Sequence, residues 1–566
     1  MLVMIDGRTV YTPIYSGVFW DQNEVLLDDI ERIEVIRGPG ATMWGANAVN
    51  GVLNVITKKA ESTIGKQITV SGGTAERGTS AQYGARSRSG LQSRVFLTEQ
   101  RRLSFETENG NAANDGGNAL RGGGRLDWRV SQHDWMTLHG DLYRGRIDQR
   151  VYVDPFSIGP GPPSVATIQD KSENSGGYSL LRWEHNGSRG DYALQAYYNS
   201  QNDKEYKGYG REGTADIDFQ HHFPLNERND VMWGLGYRNH SDHLRGPHVP
   251  FSHSTHQITS ASSFLQDELC LIPSKLVLTA GTKLQWNSYT HLEVQPSLRF
   301  LLTTDNHHSA WASVSRSVRT PSIRDRDLFA YFPLPSSLQI PTDALIMGNP
   351  HIKSEVTLAY EGGYRQQVGK LLSADFAGFL YSYSKLVSQL QEQPFVQQSA
   401  IPMLIVPVVY ANDYKANSQG AEAFLTFTPT HSVRLASSYT WTQARIAQSA
   451  GALGTVSPDL TWSTPRNTIN LRGSWDFRRN WTMNGSLGSV SETPIYRNAD
   501  PLEQQRVPAY RRVDLSTAYS LGESVTLSAG AHNLQEARHL EFNPQDEYDV
   551  PSEAPRSAYM KLVWSF

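Results

Sequence analysis

The final segment of the chain constrains the fold most. Phe566, Trp564, Leu562, Met560 and Ala558 alternate with Ser565, Val563, Lys561, Tyr559 and Ser557. A period of two places the first set on one face of a strand and the mostly wettable second set on the other. The rule recurs far upstream. Val525, Leu527, Ala529 and Ala531 alternate with Thr526, Ser528 and Gly530, and Val513, Leu515 and Tyr519 with Arg512, Asp514 and Ser516. Ile469, Leu471, Trp475 and Phe477 oppose Asn470, Arg472, Ser474 and Asp476; Leu276, Leu278, Ala280 and Leu284 oppose Thr279 and Lys283. From about residue 66 onward, segments of roughly 8–12 residues follow this pattern between turn residues.

Such strands need a cover for one face. In a soluble sandwich the cover is a second sheet; in a membrane barrel it is lipid, and the polar face lines a lumen. The pattern runs to the end of the 566 residues without a break into domains. Tight turns such as Thr428-Pro429-Thr430 and Arg478-Arg479-Asn480 alternate with long polar connections, and the chain stops on an aromatic at a strand end. These features favour the barrel, because in lipid the sheet must close to pair every backbone group.

Composition agrees. No apolar run reaches the ~18 residues of a membrane helix; the longest, Ile401 to Ala411, is broken by Pro402 and Pro407. Hydrophobic residues make up 39%, which suits strands that are only half apolar. The 13 Trp and 26 Tyr outnumber the 19 Phe, and those two rings suit a boundary between water and hydrocarbon. A net charge of −4 gives no reason to expect nucleic-acid binding. The single cysteine, Cys270, excludes a disulfide framework and reads as a small hydrophobe in a strand.

A membrane strand takes roughly 9–11 residues to cross. A barrel of about 22 strands spends about half of the sequence on connections. Those connections are expected near 145–176, 200–216, 239–262, 320–352, 386–418, 444–464, 490–508 and 536–556. A lumen that wide needs a plug, and residues 1–60 suit the role. Val3-Met4-Ile5, Ile33-Glu34-Val35-Ile36 and Val52-Leu53-Asn54-Val55-Ile56-Thr57 read as short strands, with one or two helical turns between Glu24 and Ile30. The predicted division is therefore 1–60 as plug and 61–566 as barrel.

Several motifs resemble the TonB-dependent outer-membrane receptors of the siderophore-receptor type. In the plug region they are Ile5-Asp6-Gly7-Arg8, then Asp29-Ile30-Glu31-Arg32-Ile33-Glu34-Val35-Ile36-Arg37-Gly38-Pro39, then Trp44-Gly45-Ala46-Asn47-Ala48-Val49-Asn50-Gly51 through Lys58. In the barrel they are Arg319-Thr320-Pro321-Ser322, Gly348-Asn349-Pro350, Tyr360-Glu361-Gly362-Gly363-Tyr364, Gly420-Ala421-Glu422, Val507-Pro508-Ala509-Tyr510, Asn533-Leu534 and the terminal Phe566.

The resemblance implies an integral protein of the bacterial outer membrane and active uptake of a ferric siderophore or similar metal chelate. The energy-transducing protein TonB and outer-membrane lipid are the expected partners. A monomer is expected, with no enzymatic activity and no cofactor. Residues 1–60 match the second half of the family's plug. The signal peptide, the TonB box and the first plug half are not in the sequence. A misassigned start, a truncated gene and a partial chain all account for that, and a truncated chain would act as a non-energised, porin-like barrel. A receptor for cobalamin or another ligand is the remaining alternative.

Individual residues carry sharper expectations. Arg37, with Glu361 and Glu422, matches the positions at which resembling receptors hold a plug arginine against the barrel; a guanidinium suits such carboxylates, either as a plug–barrel latch that loosens during transport or as an ordinary ion pair that docks the plug. Arg324, Arg326, Phe329 and Tyr331 form a basic and aromatic loop that suits either an anionic, aromatic ferric chelate or a salt-bridged loop stem with apolar packing. His240, His243, His248, His253 and His256 are a weak metal candidate, because Gly246-Pro247 and Pro250 leave no regular spacing to converge the rings. Met403-Leu404-Ile405-Val406 either touches a hydrophobic ligand or buries itself under neighbouring loops. No nucleophile–base pair or phosphate-binding loop stands out.

Overall fold

The structure is a computed structural model. It describes residues 1–153, 166–206, 208–246, 250–333, 340–398, 402–448, 464–495, 505–542 and 551–566.

The chain begins with a small mixed sheet. Its strands are β1 (Leu2–Ile5), β2 (Arg8–Thr9), β3 (Ile30–Arg37) and β4 (Gly51–Thr57), in the order β2-β1-β4-β3. β1 and β4 run parallel, and the outer pairs are antiparallel. The β1–β2 hairpin turns on Asp6 and Gly7, with φ of 51° and 78°. An Asp-Gly pair with both φ positive is the turn that matches strand twist. The Asp6 carboxylate also accepts from Thr57 N and Thr57 Oγ1, both at 2.8 Å, and so fixes the end of β4. The helical turns expected between Glu24 and Ile30 reduce to one 3-10 turn, Leu27–Asp29. A single turn of α-helix, α1 (Ala41–Trp44), joins β3 to β4.

Alternation along β1 and β4 gives the sheet two greasy faces. Leu2, Met4, Ala48 and Val52 pack on one, and Val3, Ile5, Val10 and Val55 on the other. This unit is too small to bury a core of domain size, and its stability draws on the wall around it.

That wall is a closed antiparallel barrel of 22 strands. It opens with Gly65–Gly73 and closes when that strand pairs with the last one, Ser557–Ser565. Lys66 and Phe566 exchange two backbone hydrogen bonds at the seam, 2.8 and 2.9 Å. Period-two patterning decides which side chains meet lipid: Leu142, Met560, Leu235 and Leu138 stand exposed on the outside. The intervening positions turn inward. Among the described residues, no helix is long and apolar enough to cross a membrane; the strands do so.

The connections depart from expectation in length. Strands Asp134–Val153 and Ala166–Gly187 consume much of 145–176, and Gly190–Glu205 and Gly208–Pro224 consume nearly all of 200–216. Asn229–Arg245 and Thr255–Ile272 take most of 239–262. Above the membrane lipid no longer selects an apolar face, so hydropathy alternation fades although ladder pairing continues. The segment Met403-Leu404-Ile405-Val406 is strand, not loop. It opens the 28-residue strand Met403–Thr430 and pairs in parallel with Thr342–Met347. Ile405 is fully buried, and Ala344 and Leu345 are buried beside it. This stretch covers itself.

Candidate plug latch and outer-loop site

Arg37 ends β3, and Gly38 follows with φ of 74°. The turn aims the guanidinium at the wall, where Arg37 Nη1 pairs with Glu422 Oε2 on strand Met403–Thr430. Glu361 lies two strands away, on Glu355–Val368. It does not pair with Arg37. Tyr381 Oη donates to its Oε1 at 2.7 Å, and Ser313 Oγ to its Oε2 at 3.3 Å. The carboxylate rests against the backbone of Gly38, where an added Cβ would collide with it. The expected three-residue latch is thus an ion pair plus a steric stop. The Arg37 side chain keeps 55% of its surface exposed, so the pair is wet on one side.

A second group of plug contacts has no signature in spacing. The 3-10 turn presents two consecutive carboxylates to different parts of the wall. Asp29 pairs with Arg94, whose Nη1 also donates to Lys58 O at 3.0 Å. Asp28 pairs with Lys561 on the last strand and accepts from Thr69 Oγ1 on the first at 2.9 Å. Burial pushes the Asp29 carboxyl up to about 6, against the pull of Arg94. Further along, Arg121 donates to Gln22 O at 2.7 Å, Asn174 to Asp21 at 2.6 Å and Thr12 to Glu212 at 2.7 Å. Arg8 donates to Asn199 at 3.0 Å and lies 3.8 Å over the Tyr178 ring. An apolar contact also reaches the wall, where Val49 packs with Tyr383, Leu386 and Ala416.

At the outer end the plug is tied to a loop. Helix α2 (Ile323–Asp327) carries a capping box in which Ser322 and Asp325 satisfy each other's backbone N–H. Its first two amides, Ile323 N and Arg324 N, donate to the plug carbonyls of Pro13 and Ile14 at 2.8 and 2.9 Å. Arg319 gathers Glu355 (2.6 Å), Asp325 (3.3 Å) and Ser16 of the plug (3.0 Å). Asn47 of the plug accepts from Thr320 N at 3.1 Å.

The four loop residues singled out from sequence lie on this same segment. Arg324 is exposed. Arg326 stacks over the Tyr289 ring at 4.3 Å and donates to Tyr289 O at 3.1 Å. Phe329 and Tyr331 are exposed and meet edge to face, their centroids 5.8 Å apart. Sequence reasoning missed Tyr289, which comes from a different connection.

The histidines do not converge on a metal centre; among the described residues no cluster of three or more such ligands is placed to hold one. His248 lies outside the described residues. His240 is buried in its strand, 3.0 Å from Thr214 Oγ1, and His243 follows on the same strand. His253 contacts Asp327 at 2.9 Å. His256 sits between Asp242 and Asp327, 2.7 Å from each. Burial disfavours its charged form, but the two carboxylates outweigh that, and its pKa is held above the ordinary histidine value. The His256 ring clips strand to loop.

Comparison with known proteins agrees with this architecture. The family model described as TonB dependent receptor-like, beta-barrel matches residues 66–534. The TonB-dependent receptor plug domain model matches residues 1–52. The iron-regulated outer membrane virulence protein of Vibrio cholerae serotype O1 is 23% identical over 562 residues, covering 96% of this chain and 82% of its own length. The metal-pseudopaline receptor CntO of Pseudomonas aeruginosa is 21% identical, covering 95% of this chain and 80% of its own length. A point mutant of the ferric enterobactin receptor of Pseudomonas aeruginosa superimposes with a TM-score of 0.80 at 17% identity, covering 100% of this chain and 90% of that one.

Proposed function

Because the chain belongs to the TonB-dependent receptor family, whose members are receptors and transporters in the outer membrane and not enzymes, we propose that it takes up a ferric siderophore or similar metal chelate. TonB would supply the work, and the protein would act as a monomer in outer-membrane lipid. In this reading residues 1–60 are plug and 61–566 are barrel.

One observation carries the proposal: ion pairs and hydrogen bonds supply most of the plug's hold on the wall, and its two main apolar clusters are internal to it. Contacts of this kind exchange readily for water, so a pull can separate them at modest cost. Arg37 with Glu422 is the latch that loosens, and Glu361 is the stop beneath it. Arg324, Arg326, Phe329 and Tyr331 receive the chelate, their cations meeting its negative charge and their rings its aromatic groups. Helix α2, tied to Pro13 and Ile14, conveys occupancy to the plug.

The relatives support iron-linked cargo, since they include an iron-regulated outer membrane virulence protein, a metal-pseudopaline receptor and a ferric enterobactin receptor. The test is growth of a strain deleted for the gene and complemented with it, on single iron sources. Rescue on one ferric chelate, lost when TonB is absent, supports uptake. Growth indifferent to the gene on every source rejects it.

A second reading, a passive pore, has an observation of its own. A polar cavity of about 860 Å³ lies between plug and wall, lined by Asp6, Arg125, His139, Gln195, Asp218 and Lys283 among others. Steady single-channel conductance of the purified chain in planar bilayers would favour the pore; a sealed bilayer would favour the gated receptor.

A further inference from the structure

Three consecutive plug residues are gripped from two directions. Thr12 donates to Glu212 on strand Gly208–Pro224 at 2.7 Å. Pro13 and Ile14 accept from the first two amides of α2. A line of acids and histidines joins Glu212 to the far end of that helix. His240 Nε2 lies 3.9 Å from Glu212 Oε2 and 3.5 Å from Asp242 Oδ2. Asp242 Oδ1 meets His256 Nδ1 at 2.7 Å, and His256 Nε2 meets Asp327 Oδ2 at 2.7 Å. Asp327 is the last residue of α2. The circuit therefore starts and ends on the plug.

The middle of this circuit holds an extra proton. A neutral imidazole has one N–H, and an ionised carboxylate only accepts. Both ring nitrogens of His256 face carboxylate oxygens at hydrogen-bond distance. The trio Asp242, His256 and Asp327 therefore carries one proton more than a neutral ring and two carboxylates supply. The side chains of Asp242 and His256 are shut from solvent, at 0% and 8% exposed. The other charged and titratable groups facing the trio are Glu212, His240, His253, Tyr289 and Arg326. Arg326 is the one fixed cation among them, and it stacks on Tyr289. Without the extra proton, the carboxylates of Glu212, Asp242 and Asp327 stand as uncompensated buried charge, which is strongly destabilising. Burial lowers the His256 pKa, and the two carboxylates raise it by more.

We propose that this proton is the pin that docks α2 on the plug. While it is held, the bridge fixes Asp327 and so presents the α2 amides to Pro13 and Ile14. When it leaves, one ring nitrogen of His256 turns a lone pair on a carboxylate, the bridge opens and α2 lifts. Asp242 then has a second partner within reach. Its Oδ2 and His240 Nε2 are both buried with no hydrogen-bond partner among the described residues, 3.5 Å apart. Turning to His240, Asp242 draws that ring from Glu212, the residue that holds Thr12. Loss of one proton thus loosens Thr12, Pro13 and Ile14 together. His253, its side chain 76% exposed and 2.9 Å from Asp327, gives the bridge its contact with water. Because α2 carries Arg324 and Arg326, the pin also sets affinity for the chelate, and that step alone rests on the uptake reading above.

The deciding variant is Asp242→Asn. Its amide donates to the His256 Nδ1 lone pair while the neutral ring donates Nε2–H to Asp327, so this bridge needs no extra proton. The measurement is hydrogen exchange of the Ile323 and Arg324 amides in the purified full chain without cargo. Exchange is followed from about pH 6 to about pH 9.5 and corrected for intrinsic rates. In the unaltered protein, protection should fall about tenfold per pH unit above the folded His256 value, the slope of one released proton. In Asp242→Asn it should stay level. Heat-modifiable migration at neutral pH reports folding of both. Level protection in the unaltered protein, or the same decline in both proteins, would overturn the proposal; the first outcome needs no variant. Iron(III) held by a hexadentate tris-catechol extends the test to binding. Fluorescence quenching at each pH gives the ratio of the two proteins' affinities, in which the probe's own titration cancels. A ratio of unaltered to variant affinity that declines with pH supports the role in binding, and a level ratio overturns it. Exchange as expected, with no probe bound by either protein, rejects the uptake reading and upholds the pin.

Discussion

Asp28 and Lys561 form an ion pair across almost the whole length of the chain, and the other oxygen of the same carboxylate accepts from Thr69. One plug side chain therefore holds both the first and the last strand of the barrel. The Asp28→Asn substitution keeps the size and removes the charge. It should destabilise the closed form by about 1–3 kcal/mol, the usual worth of a hydrogen bond to a charged group. A lower temperature for loss of heat-modifiable migration would show it; an unchanged temperature would mean the seam needs no staple.

The latch predicts an asymmetry between its two carboxylates. Arg37→Glu places like charges together and should expose the plug to added protease. Adding Glu422→Arg should restore protection, whereas adding Glu361→Arg should not, because Arg37 pairs with Glu422 alone of the two. Equal rescue by both would refute the assignment.

Gly38 should tolerate no side chain. Its φ of 74° already costs an L-residue about 1 kcal/mol, and a Cβ there meets the Glu361 carboxylate. Gly38→Ala should loosen the plug, and Gly38→Ala with Glu361→Ala should recover only the steric part. Hydrogen exchange of β3 amides would separate the two contributions.

The His256 clip should weaken as the medium becomes alkaline. Its folded pKa is raised by Asp242 and Asp327 despite burial. The stability it contributes is complete below the unfolded histidine value and is lost as pH rises through the higher folded one. Amides near His253 and Asp327 should exchange relatively faster above that window, after correction for intrinsic rates, and His256→Gln should remove the pH dependence. An unchanged profile in the variant would place the titrating group elsewhere.

For the outer loop, Phe329→Ala and Tyr331→Ala should each weaken binding of the accepted chelate, with growth on ferric chloride unaffected. Arg326→Ala forfeits about 0.5–1 kcal/mol of stacking on Tyr289 as well as its charge. Its effect on affinity should therefore exceed that of Arg326→Lys. Fluorescence quenching titration with the ferric chelate reads both.

The barrel was legible because membrane strands carry one greasy face, and the ladder from Ser557 to Ser565 repeats wherever lipid is the neighbour. The same signal vanishes above the membrane, which is why the tips of Asp134–Val153 and Gly208–Pro224 looked like loops. Arg37 and Glu422 were found through motif resemblance. Asp28, Asp29, Arg94 and Lys561 were not, since a charge that faces a lumen looks like any solvated charge until topology supplies its partner. The histidines were a weak candidate because their spacing does not converge the rings, and His240, His253 and His256 instead meet a hydroxyl or carboxylate of another segment.

The pairing of Gly65–Gly73 with Ser557–Ser565 has a consequence in time. The first strand finds its second neighbour only in the last, so the wall stays open until the whole sequence is available. Contacts of such separation form slowly, because the chain between them must be ordered first. Throughout that interval the plug has a side entrance, and the moment of closure decides whether it ends up inside.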